Sequence, residues 1–131
     1  MTRHEAREQA FFVLFEKIFN DDFTISQIIE NAQDADLIKI NSFAEKTLKI
    51  AEDNAENIDA LISEHSKQWS IERLPKVSLA VLRLAVGEIK FNDEVPESVS
   101  VNEAVELAKT YGTAEDASFV NGLLSSILKA R

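Results

Sequence analysis

The side chains able to do chemistry are few and scattered. His4 and His65 are the only histidines, and neither belongs to an H-E-x-x-H pair or to a cysteine and histidine cluster of zinc-ligand spacing. Cysteine is absent, which removes thiolate ligation, a thiol nucleophile and disulfides together. Gly87, Gly112 and Gly122 lie far apart and form no phosphate-cradling loop. Acidic pairs such as Asp21-Asp22 and Glu115-Asp116 read as helix caps or solvated faces, and Ser118, Ser125 and Ser126 have no histidine in a recognisable arrangement. No catalytic residue, metal site or cofactor is expected.

What remains is suited to binding. On a helical wheel Arg3, His4 and Arg7 fall on one side of the N-terminal segment while Glu5, Gln9 and Glu16 fall on another. These cations oppose the helix macrodipole, so they do not stabilise their own helix, and with the α-amino group they make a small basic edge. Tyr111 and Phe119 flank a turn near Lys109, and aromatic rings beside a cation can stack on unpaired bases. Asp116, close to Phe119, would repel phosphates at such a site. Phe12, Phe15 and Phe19 form a second apolar stripe, opposite Ala6 and Ala10, that is either buried or turned toward a partner.

The elements that hold these residues are helices. The 131 residues are 45% hydrophobic, enough for one core without disulfides, and only three glycines and two prolines interrupt them. An all-α, single-domain bundle of about six or seven helices over residues 1–131 is expected. The formal net charge of −9 confines any nucleic-acid site to a small patch. The start, MTRHEAREQAFFVLFEK, lacks the apolar stretch of a signal peptide, and Ala10 to Phe15 is far too short to span a bilayer. A cytoplasmic protein without membrane contact is the simplest reading.

Capping patterns place the helix starts. Thr2 with Glu5, Thr24 with Gln27, Ser100 with Glu103 and Thr113 with Asp116 each have capping-box form, and Asn41 or Ser42 opens a long helical region with a break near Asn54. Ser70 can cap a short turn, and Pro75 suits the first turn of a helix whose Val77, Val81, Leu84, Ala85 and Ile89 share a face. Gly112 is expected as a left-handed helix stop. Gly122, inside the last helix, is expected where another helix or a ligand comes close.

The segments VSLAVLRLAVGEI (77–89), VSVNEAVELAKTYG (99–112) and AEDASFVNGLL (114–124) resemble the NusB family of transcription antitermination factors. So do Arg7-Glu8 and the segment from Trp69 to Leu74, and the NEAVELAK and FVNG pair is the specific part. The resemblance implies a non-catalytic helical bundle that binds single-stranded boxA-type RNA with the small ribosomal protein NusE, within the RNA polymerase antitermination complex. It also implies RNA contacts at Arg3, His4, Arg7, Tyr111 and Phe119, and partner contacts that include Phe15 and Glu88. Relatives often carry a denser arginine run at the start, so RNA affinity without the partner is expected to be low.

Two other readings stand beside this one. A related helical domain precedes the catalytic domain of some ribosomal RNA cytosine methyltransferases, although ending at Arg131 leaves no room here for a methyl-donor site. A protein-only acidic adapter fits the net charge of −9 and the phenylalanine stripe.

Overall fold

The computed structural model describes residues 1–67 and 69–130. Seven α-helices follow one another: α1 Arg3–Phe19, α2 Ile25–Asp34, α3 Ser42–Asp53, α4 Ala55–Ser66, α5 Lys76–Phe91, α6 Glu97–Tyr111 and α7 Ala114–Lys129. A 3-10 turn, Ile71–Arg73, joins α4 to α5, and no strand occurs among the described residues. None of these helices is long and apolar enough to cross a membrane.

Local chemistry sets most of the helix starts. Thr2, Thr24 and Thr113 each accept a hydrogen bond from the third helical amide, while Glu5, Gln27 and Asp116 reach back to the cap amide. Asn41 accepts from the Ala44 amide at the start of α3, and Asn54 marks the break before α4. Each side-chain cap stabilises its helix by about 1 kcal/mol.

The start of α6 differs from expectation. Pro96, with φ −60°, precedes its first residue, so the helix begins at Glu97 and Ser100 lies inside it. Ser100 is not a cap because its hydroxyl donates to Glu88, and Glu103 pairs with His4 instead of reaching back. Gly112 ends α6 at a negative φ of −127°, not in the left-handed region. Glycine is needed there for a different reason: a Cβ would sit 2.6 Å from Asp116 Oδ2 and 2.9 Å from the Ala108 carbonyl oxygen.

The core is organised around α5. From Ser78 to Glu88 every side chain except Arg83 is buried, and α5 packs against α1, α3, α4, α6 and α7. A helix apolar on all sides is stable only when surrounded in this way. Arg83 turns its guanidinium to Asp59 of α4 in a two-pronged bond, both N···O distances being 2.9 Å. Leu48, Ile58, Ile62, Leu82, Leu107, Leu124 and Ile127 fill the centre.

Candidate nucleic-acid and partner interface

The N-terminal cations separate into two exposed groups and one buried one. Arg3 is exposed, with its guanidinium carbon 4.8 Å from the centre of the Phe43 ring. His4 is exposed too, and its Nδ1 lies 2.7 Å from Glu103 Oε2 on α6. That hydrogen bond, aided by the charges of Glu103 and Glu8, holds the imidazole pKa above its ordinary 6.5.

Arg7 corrects the expectation of a phosphate contact. It is 2% exposed and grips Glu88 of α5 through Nη2 at 2.7 Å and Nε at 3.1 and 3.2 Å. Its guanidinium carbon also lies 4.9 Å from the Phe43 ring centre. All of its charge is spent inside the protein. Glu88 is equally buried and accepts from both Arg7 and Ser100, so in this structure it offers a partner no surface. The helical wheel put Arg7 beside Arg3 and His4, but it could not show that α5 supplies a carboxylate at that level.

At the turn between α6 and α7, Lys109 is exposed and Tyr111 is half-buried. The Tyr111 ring stacks on Phe11 at 5.1 Å between centres and meets Phe12 edge-on at 5.3 Å. Its hydroxyl donates to Glu8, and burial, reinforced by that carboxylate, pushes its pKa up to about 12. Much of the ring is therefore occupied by α1. Phe119, half-buried one helix further on, lines an open cleft with Trp69, Arg73, Leu74 and Pro75.

Asp116 sits beside that cleft but is turned to structural work. Oδ1 accepts from the Ser78 hydroxyl at 2.6 Å, and Oδ2 from the Thr113 amide and hydroxyl, each at 2.9 Å. Burial works to raise its pKa, but these hydrogen bonds outweigh it and hold the carboxyl below its ordinary 3.8. It remains ionised near neutrality.

The phenylalanine stripe on α1 is graded along its length. Phe12 and Phe15 are half-buried against Phe11, while Phe19 is 59% exposed and packs edge-on against Phe15 at 5.1 Å. Phe12 also lines an apolar cleft of about 380 Å³ with Phe23, Ile28 and Leu37. Water is therefore met mainly at the C-terminal end of the stripe.

Residues 4–129 match the NusB family. The chain belongs to the NusB family. The transcription antitermination protein NusB of Agathobacter rectalis is 46% identical over 95% of this chain and 98% of its own, and that of Lysinibacillus sphaericus is 42% identical over 95% of each. Among solved structures, a crystal structure of antitermination factors NusB and NusE in complex with dsRNA superposes with a TM-score of 0.86, at 31% identity and full coverage of both chains.

Within this NusB-family chain, residue types alone did not single out Trp69, Arg73 or Phe43. Trp69 is the only tryptophan and stands 50% exposed, and a lone large aromatic between a polar segment and a short turn was the available signal. Phe43 carries none, because its value lies in the two guanidinium groups that α1 brings to it.

Proposed function

We propose that this chain is a transcription antitermination factor that binds boxA-type RNA jointly with NusE and so supports RNA polymerase processivity in ribosomal RNA transcription. The observation that carries the reading is the full-length likeness, on both sides, to a chain of the complex containing NusB, NusE and RNA. The relatives' shared description as transcription antitermination proteins supports it.

On this reading Arg3, His4 and Lys109 are the exposed cations that meet phosphates, and Phe119 offers the stacking face that Tyr111 has largely given to Phe11. Asp116 lowers affinity through its charge, while Arg7 acts indirectly by fixing α1 against α5. Phe12, Phe15 and Phe19 belong to the NusE face, and Glu88 serves it only indirectly, by holding α1 through Arg7. The protein works by binding, without catalysis, and in the cytoplasm where RNA is made.

The test is transcription by purified RNA polymerase through a boxA-bearing leader followed by a terminator, with NusE and the other elongation factors supplied. Adding this chain should raise read-through, and the increase should depend on boxA. Read-through that is unchanged with and without the chain contradicts the proposal.

A further inference from the structure

Of the three cations at the start of α1, two are held by carboxylates: His4 by Glu103 and Arg7 by Glu88. Arg3 enters no ion pair among the described residues. It is the first residue of α1, where a positive charge opposes the helix dipole, in a chain whose net charge is −9. Its guanidinium lies instead over the ring of Phe43, with 4.8 Å from the guanidinium carbon to the ring centre.

Phe43 is the second residue of α3, and the packing of α1 on α3 brings it to the first two turns of α1. Arg3 and Arg7 are four residues apart and share a face of their helix, so one ring receives both guanidinium groups, the second at 4.9 Å. The negative face of an aromatic ring attracts such cations. Phe43 is half-buried, yet among the described residues it is not one of the half-buried hydrophobic side chains packed on the core. Core packing therefore does not account for an aromatic residue at this position, whereas the two arginines do.

The two arginines use the ring to different ends. Arg7 spends its N–H groups on Glu88 and ties the ring to the centre of the bundle. A guanidinium resting on an aromatic face keeps its N–H groups, which point outward in its own plane, free for a phosphate, and those of Arg3 are not taken by any carboxylate among the described residues. We propose that Phe43 is a positioning residue for RNA binding: it holds the Arg3 side chain in place, so that Arg3 meets a phosphate without first losing the rotamer freedom of a loose surface arginine. The inference rests on the RNA-binding reading above and adds to it a residue that itself touches no nucleotide.

The experiment uses the full-length chain with NusE and a labelled boxA-type RNA, comparing the parent with Phe43→Leu, Phe43→Tyr, Arg3→Ala and the double variant of Phe43→Leu with Arg3→Ala. Phe43→Leu keeps an apolar side chain and removes the aromatic face. It should weaken RNA binding about twofold to tenfold, the range for immobilising one flexible side chain, while NusE affinity stays at the parent's. Phe43→Tyr retains the face and should bind RNA as the parent does. In the Arg3→Ala background Phe43→Leu should cost nothing more, because the side chain it positions is gone. In the parent, the δ protons of Arg3 should show an upfield ring-current shift by NMR that persists when RNA is added. Should Phe43→Leu fail to fold, that shift decides.

Equal or tighter RNA binding by Phe43→Leu overturns the inference, the second outcome meaning that the ring competes with phosphate for Arg3. The same loss with and without Arg3 overturns it too, since Phe43 then acts only on the fold. So does a ring-current shift that is absent or vanishes on adding RNA. If Arg3→Ala binds RNA like the parent, the positioning role is overturned and joint RNA binding stands; if the parent binds no RNA even with NusE, both are overturned.

Discussion

Arg7 of α1 and Glu88 of α5 form an ion pair at 2.7 Å with side chains 2% and 1% exposed. Ser100 of α6 donates to the same Glu88 oxygen at 2.8 Å, so three helices meet at one carboxylate. No buried side-chain polar atom among the described residues lacks a hydrogen-bond partner. The basic edge expected on α1 is thereby reduced to Arg3 and His4, and Arg7 becomes part of what orients that helix.

Breaking a buried pair by removing one member leaves a desolvated charge. Arg7→Ala and Glu88→Ala should each lower unfolding free energy by about 3–5 kcal/mol in urea titrations, and Arg7→Met combined with Glu88→Leu should recover a large part of the loss. Additive losses in the double variant would show that the two groups act independently.

His4 gives a pH dependence of known sign. Its folded pKa is raised above 6.5 by Glu103, so the tie between α1 and α6 is complete below that value and is lost as pH rises through the raised one. The difference in melting temperature between the parent and His4→Gln should be largest below about pH 6 and close toward about pH 8. A gap that widens with rising pH would contradict the assignment.

The proposed partner face is best probed at its exposed end. Phe19→Asp changes a residue that is 59% exposed, so the fold should survive while NusE affinity falls by more than about 1 kcal/mol in calorimetry. Phe15→Asp, by contrast, should also destabilise the fold, because Phe15 packs against Phe11 with ring centres 5.7 Å apart. Parent-like NusE affinity in folded Phe19→Asp would remove Phe19 from the interface.

Most of the fold was legible because its signals are local. Three of the four expected capping boxes form, the break falls at Asn54, and the apolar period of α5 marks the central helix. The misreadings arose where a side chain is claimed from a distance in sequence. Ser100 serves Glu88 and Glu103 serves His4, which no spacing rule can express; Gly112 is the local exception, making room for Asp116 four residues on. At the candidate site residue type pointed to Arg3, His4 and Phe119, but the burial of Arg7 and the shared cleft of Trp69, Arg73 and Phe119 depend on helix packing.

Joint recognition of RNA with NusE is tested most directly by salt titration of boxA-type RNA binding for the parent, Arg3→Ala and Phe119→Ala, with and without NusE. The pair should bind more tightly than this chain alone. Arg3→Ala should reduce the slope of log affinity against log salt by about 0.7, the contribution of one phosphate contact to a single strand. Phe119→Ala should weaken binding by about 1–3 kcal/mol with the slope nearly unchanged, as for a lost stacking face. RNA binding that is equal with and without NusE, and indifferent to both substitutions at every salt concentration, would contradict the account.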